Sequence, residues 1–410
     1  MKKWLTALAL AIAVSIAVSA QGFLRTKGKD IITSEGKTFL MHGTNLGNWL
    51  VPEGYMFNFK TATSPRLINE TITELVGPEE SAAFWQQYLA SYITAADIHY
   101  LSSIGVNSIR VPFNYRLFTD EDYLGSRGAE RGFRLLDSVV TWCAKEHIYV
   151  LLDMHCAPGG QTGDNIDDSY GYPFLFDSEA CQRLVVSIWQ NIARHFAHNP
   201  VVMGYDLLNE PIPPFFDTSH FNPKLEPLYK RITAAIRQVD KKHMIFLGGA
   251  QWDSNFGVFG TPFDDNLVYT FHKYWTPATQ KVIQPYLDFR DRYNVPVYCG
   301  ETGENTDQWI DSFRQVLDAN NVGWHFWPYK KMNNSRCFVT FERPAEYGVI
   351  AAYADTARGT FHVIQQLRPK NMDDARKALK AFLANCRFTA CHVNEGYVRS
   401  LGFKPGATGQ

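Results

Sequence analysis

Two glutamates stand where short apolar runs give out: Glu210 in "GYDLLNEP" (204–211) and Glu301 in "YCGETG" (298–303). A carboxylate at the edge of a buried segment is costly unless something pairs with it. Two carboxyls brought to one pocket suit glycoside hydrolysis, in which one protonates the leaving oxygen while the other attacks the sugar carbon or activates a water. Asn45, Arg110, His155, Asn209, His272, Tyr274 and Trp327 end comparable runs. Singly, each has a plain explanation: Arg110 as counter-ion to a structural acid, His155 as a satisfied core histidine, Trp327 as packing. Jointly they require a fold that gathers them on one rim.

The elements for such a fold alternate along the chain. Strand-like runs are expected at 39–46, 106–113, 148–155, 201–210, 244–249, 267–274, 295–302 and 322–329. Between most of them lie segments with apolar residues three and four apart, such as "RGFRLLDSVVTWCAKEH", "EPLYKRITAAIRQVDKK" (226–242) and "TDQWIDSFRQVLDAN". The connection after "MIFLGG" is only weakly helical, and "MDDARKALKAFLANC" is the last clear helix. Eight β/α repeats point to a (β/α)8 TIM barrel with long βα loops, whose strand C-termini converge on the active site. A doubly wound sheet is the rival topology, but "HGTNLGNW" lacks the GxGxxG phosphate turn. No Pro-, Ser- or Gly-rich linker interrupts residues 21–410, which read as one catalytic domain. Residues 333–368 form a long insertion after the eighth strand, expected to shape one wall of the site.

Composition narrows the ligand. The 410 residues carry 40 basic and 41 acidic side chains, a formal charge of −1, and are 45% hydrophobic. That balance offers no electrostatic reason to bind nucleic acid or an anionic membrane. Lys2 and Lys3 before the apolar run Trp4–Val18, followed by "VSA" (18–20), read as a signal peptide over 1–20, with cleavage before Gln21. The run is shorter than the roughly 20 apolar residues a membrane span needs, so a secreted or periplasmic enzyme, free of the membrane after cleavage and monomeric, is expected. The seven cysteines lack CxxC or zinc spacing. In an exported chain Cys386 and Cys391 are placed to bridge locally, and several of the cysteines are expected to be buried apolar residues.

The ordered set "IRVPF", "LLDMH", "LLNEP", "TFHKY", "GETG" and "HFWPYK" resembles glycoside hydrolase family 5, the cellulase-type family of retaining β-glycosidases, over about Leu40 to Lys330. The resemblance implies Glu210 as acid/base on strand four and Glu301 as nucleophile on strand seven. It places Arg110 beneath Glu301, holding it as the carboxylate, and Asn209 on the sugar 2-hydroxyl. His155, His272 and Tyr274 would position sugar and carboxyls, with Trp327 as the platform beside the cut bond. It implies no cofactor and no metal.

Two rival functions fit the sequence less well. A metal site of His155, His272 and Glu210 lacks HExxH-type spacing. A non-catalytic sugar-binding barrel would have to lack one of the two glutamates, and both are present. Beside these residues, Glu304 reads as a helix-terminus carboxylate and Asp153 as a structural acid within the barrel. Trp49, Tyr172, Phe215, Trp252 and Trp275 are loop aromatics of which one or two are expected to stack on a sugar. "HGTNLGNWL" and "DMHCAPGGQ" look more like the glucanase branches of the family, including exo-β-1,3-glucanases, than like mannanases. A β-glucan is therefore the expected substrate, with endoglucanase, exo-β-1,3-glucanase and β-glucosidase action left open.

Overall fold

The computed structural model describes residues 21–406, so the leader expected over 1–20 lies outside the described residues. Eight parallel strands close a barrel: β1 (His42–Asn45), β2 (Ser108–Asn114), β3 (Tyr149–Cys156), β4 (Val202–Asp206), β5 (Met244–Gly248), β6 (Leu267–Tyr274), β7 (Val297–Gly303) and β8 (Gly323–Trp327). Each pairs with the next and β8 returns to β1, giving the expected (β/α)8 architecture. Among the described residues no helix is long and apolar enough to cross a membrane.

The two faces of each strand explain where the polar residues go. On β3, Val150, Leu152 and Met154 pack toward the helices. Tyr149 and Leu151 face inward and join Met203, Met244, Phe246, Val268 and Tyr298 in an apolar floor. Side chains alternate along a strand, so Asp153 and His155 continue that inward face above the floor. Arg110 does the same on β2 between Ile109 and Val111, which pack outward. Leu24, just before the N-terminal hairpin Arg25–Lys27 and Asp30–Ile32, and Ile31 within it join the floor.

Strict alternation fails on β7. Phe271 pairs with Cys299 but His272 pairs with Glu301, so Gly300 is an extra residue relative to β6. Tyr298 faces the floor and Cys299 the helices; without the extra residue Glu301 would point outward. A Cβ at Gly300 would lie 2.8 Å from His272 Nε2, which is why the bulge carries glycine.

Three expectations need correction. The fourth strand stops at Asp206, so Glu210 stands beyond it, in a bend where its φ of 46° departs from any extended conformation. The helix expected from Glu226 begins at Thr218, capped by the Asp217 carboxylate, and contains Pro223 and Pro227. The insertion after β8 does not wall the site. None of residues 333–368 lines the cavity; the helices of this segment pack on the loop after β1, where the Tyr347 hydroxyl donates to the Phe57 carbonyl at 2.9 Å and the Thr61 hydroxyl to that of Ala354 at 2.7 Å. That loop itself holds helices at Pro65–Val76, Pro78–Ser91 and Ala95–Ile104.

All seven cysteines are free, and six of them are buried. Cys391 Sγ lies 3.7 Å from the Cys386 carbonyl oxygen in place of the bridge considered from sequence.

Candidate active site

Arg110 is the hub beneath the site and is completely buried. Its Nε donates to Asp206 at 2.8 Å, Nη1 to Asn45 at 3.1 Å and to Glu301, and Nη2 to Asn209 at 2.9 Å. Asp153 lies 3.1 Å from Nη2. One guanidinium thus serves three buried carboxyls, and burial still pushes Asp153 and Asp206 up to about 7. Asp153 also holds His155, with Nδ1 at 2.8 Å, in keeping with a structural acid.

Glu301 receives Arg110 on Oε1 and the Tyr274 hydroxyl on Oε2, the latter at 3.0 Å. His272 stands between the glutamates, its Nδ1 2.9 Å from Glu210 Oε1 and 3.8 Å from Glu301 Oε2. One ligand atom from each of Glu210, His272 and Glu301 falls within 4.8 Å of the others. His155 lies outside that group. Burial depresses His155 to about 4 and His272 to about 3, so both rings are neutral at working pH.

Glu210 has no cation in contact. Its carboxyl rests on His272, and burial pushes it up to about 7 against the smaller opposing pull of Arg110. A carboxyl so placed keeps its proton near neutrality, the property a general acid needs. Asn209 next to it is buried beneath the cavity, with Oδ1 on Arg110 and its backbone carbonyl accepting from Gln161 Nε2 at 2.9 Å.

Above these groups opens a cavity of about 600 Å³, lined by Glu210, Glu301, His155, His272, Tyr274 and Trp327 among others. Trp327 donates from Nε1 to the Tyr55 hydroxyl at 2.7 Å, and its ring stacks with His155 at a centroid distance of 5.6 Å. Of the loop aromatics, Trp252 and Trp275 line the cavity, Trp275 being 75% exposed. Trp49 is buried, with Nε1 on the Leu89 carbonyl, Tyr172 packs on Phe174, Phe216 and Phe221, and Phe215 meets the edge of Trp252 outside the lining. Glu304 is not a helix cap: it lines the cavity and pairs with Lys331 Nζ at 2.6 Å, while Thr306 caps the following helix.

All eight residues proposed from sequence thus meet at one end of the barrel, six on the cavity and Arg110 and Asn209 in the layer below. Several neighbours were not anticipated. Glu53 lines the cavity, its Oε1 has no hydrogen-bond partner, and burial together with Glu301 and Glu304 raises its pKa well above the usual carboxylate range. Its only sequence signal was an acid set in the apolar stretch "NWLVPEGY". Gln161, fully buried, ties the loop after β3 to the carbonyls of His155 and Asn209; nothing in its surroundings in sequence marked it.

Residues 69–333 match the family model for cellulase, glycosyl hydrolase family 5. The chain is 33% identical over 346 residues to a beta-xylosidase of Phanerodontia chrysosporium, covering 75% of this chain and 71% of that protein. It is 24% identical over 312 residues to endoglucanase C of Acetivibrio thermocellus, covering 61% and 88%. Among solved structures, an endogalactoceramidase superposes with a TM-score of 0.60 at 17% identity over 94% of this chain and 86% of that one, a likeness of fold.

Proposed function

The chain belongs to glycosyl hydrolase family 5 and is an O-glycosyl hydrolase, and on that premise we propose that it is a retaining β-glycosidase acting on a β-glucan through Glu210 and Glu301. The observation that carries the reading is the closeness of the two carboxyls, which have oxygens within 4.8 Å. Retaining enzymes hold the pair about 5–5.5 Å apart, whereas inverting enzymes need about 6.5–9.5 Å to seat a water between carboxyl and sugar.

In the first step Glu301 Oε attacks the anomeric carbon while Glu210 gives its proton to the glycosidic oxygen. The carbon–oxygen bond to the leaving sugar breaks, and a glycosyl ester forms on Glu301. In the second, Glu210, now a carboxylate, takes a proton from water as that water attacks the anomeric carbon and displaces Glu301. Arg110 and Tyr274 hydrogen-bond the attacking carboxylate. Trp327 provides the sugar platform, His155 and His272 steady sugar and acid, and Asn209 serves the 2-hydroxyl. No step requires a metal or cofactor. The reading extends to one catalytic domain over 21–410, exported after loss of 1–20 and monomeric.

Proton NMR of the first product tests the mechanism: retention is expected, and an inverted anomer would sink it. Turnover unaffected by EDTA is expected, and loss restored by a divalent cation would favour the metal reading. Digestion of carboxymethylcellulose, barley β-glucan, laminarin and mannan, with aryl β-glucoside and β-xyloside alongside, tests the sugar. Rapid viscosity loss marks endo action and glucose alone marks exo action. Preference for the xyloside, the direction in which the beta-xylosidase relative points, or for mannan would displace glucose.

A further inference from the structure

The turn after β5 stands against the back of Glu210. Gln251, Trp252 and Asp253 are consecutive residues in the left-handed region, with φ of 53°, 57° and 56°. Non-glycine residues keep such a backbone only where the surroundings over-determine it. Here the surroundings are the Glu210 loop, itself left-handed at Glu210 and at Ile212. The Gln251 amide donates to the Ile212 carbonyl at 2.7 Å, as does its side-chain Nε2 at 3.3 Å, and the Trp252 amide donates to the Pro211 carbonyl at 3.4 Å. The two loops are strapped to each other.

Asp253 is the inward end of that strap and is fully buried. Its Oδ2 accepts the Glu210 backbone N–H at 3.3 Å. The same oxygen lies 3.2 Å from His272 Nε2, a close approach without an aligned hydrogen bond, while the opposite ring nitrogen holds Glu210 Oε1 at 2.9 Å. Asp253 therefore touches the backbone of Glu210 and the ring that holds its side chain. A Cβ at Gly248 would collide with Asp253 Oδ1, so the strand end is cut back to admit this carboxyl.

The charges around Asp253 decide its state. Glu210 and His272 are in contact with it, Asp206 and Arg110 lie below, the hydroxyls of Tyr229 and Tyr286 donate to the nearby Gly248 and Ser254 carbonyls, and Lys273 Nζ is held on the adjacent Ser254 hydroxyl. The cation below it, Arg110, already serves Asp153, Asp206 and Glu301. Asp253 Oδ1 has no partner. A second buried anion beside Glu210 would be uncompensated, and burial with Asp206 and Glu210 raises Asp253 well above the ordinary carboxylate range.

We propose that Asp253 is a positioning residue for the acid/base: as an uncharged carboxyl it anchors the Glu210 backbone and backs the imidazole that orients the Glu210 side chain. It moves no proton itself. With His272 held against Oε1, Glu210 Oε2 is free to carry the acidic proton. The proposal rests on Glu210 being the acid/base.

Asp253→Ala, Asp253→Asn and Glu210→Ala are to be assayed on phenyl and 2,4-dinitrophenyl β-glucosides across pH. Asp253→Ala is expected to lose about 30-fold on the phenyl glucoside, which needs protonation, and less than about threefold on the activated one. Asp253→Asn, which keeps shape and neutrality, is expected to stay within about threefold on both and to leave the basic limb of the pH profile in place. Equal losses on both substrates in Asp253→Ala overturn the positioning role. A basic limb moved to lower pH in Asp253→Asn overturns the uncharged state, because it means that a negative charge had been holding the Glu210 proton. Should Asp253→Ala fail to fold, the Asp253→Asn profile decides. If Glu210→Ala itself does not discriminate between the two glucosides, the acid assignment falls and takes this proposal with it; if Glu210→Ala discriminates and Asp253→Ala does not, only the role of Asp253 falls.

Discussion

The ends of β4 and β7 present the same side chain in opposite settings. Glu301 stands on a regular strand with one bulge, its two oxygens met by Arg110 and Tyr274. Glu210 stands past the end of its strand on left-handed backbone, rests on a neutral histidine and touches no cation. The first setting suits a charged, rigidly aimed carboxylate and the second an uncharged acid. Two glutamates are thus differentiated by what lies behind them, without any difference in their own chemistry. The contrast also divides the labour of support: hydrogen bonds from a cation on one side, a strained backbone strapped to a neighbouring turn on the other.

The largest effect expected from this contrast is at Glu301. Glu301→Ala should cost about 10⁴-fold or more in kcat, with activity regained in azide, which fits the space left at the sugar carbon. Residual activity within tenfold of the native enzyme, indifferent to azide, would remove Glu301 from the nucleophile's place. Glu210→Ala should follow, losing about 10²–10⁴-fold on glycosides with poor leaving groups and far less on activated ones.

Arg110 sharpens the comparison because, of the two glutamates, it hydrogen-bonds only Glu301. Arg110→Met leaves Asp153, Asp206 and Glu301 without their shared cation, and chemical denaturation should show a loss of about 3–5 kcal/mol. A variant as stable as the parent would mean that these carboxyls take up protons without strain and that Arg110 is not what distinguishes the β7 end.

The smallest effect is the pH profile. Glu210 is raised from its ordinary value to about 7, so the acid is present below that pH and lost above it. Activity on an unactivated glycoside should therefore fall as pH rises through about 7, with an apparent value belonging to the coupled pair. A basic limb near the ordinary carboxylate range would show that the β4 end does not hold its proton as its burial requires. The same profile on an activated aryl glycoside should be flatter on the basic side.

Local sequence was sufficient for the barrel and for the residues that its strand ends collect. Alternating apolar runs dictate strands with distinct inner and outer faces, and polar residues closing those runs have nowhere to go but the rim. For that reason Arg110, His155, Glu210, His272, Tyr274, Glu301 and Trp327 could be read before any coordinates. Three-dimensional packing alone decided the rest. The Gly300 bulge turns Glu301 inward against the count of alternation. The left-handed bend carries Glu210 off its strand. Asp253, Glu53 and Gln161 reach the site from loops whose sequences carry no periodic signal. Periodicity encodes which face of an element a residue occupies; where two loops meet depends on contacts between segments far apart in the chain, which no local pattern records.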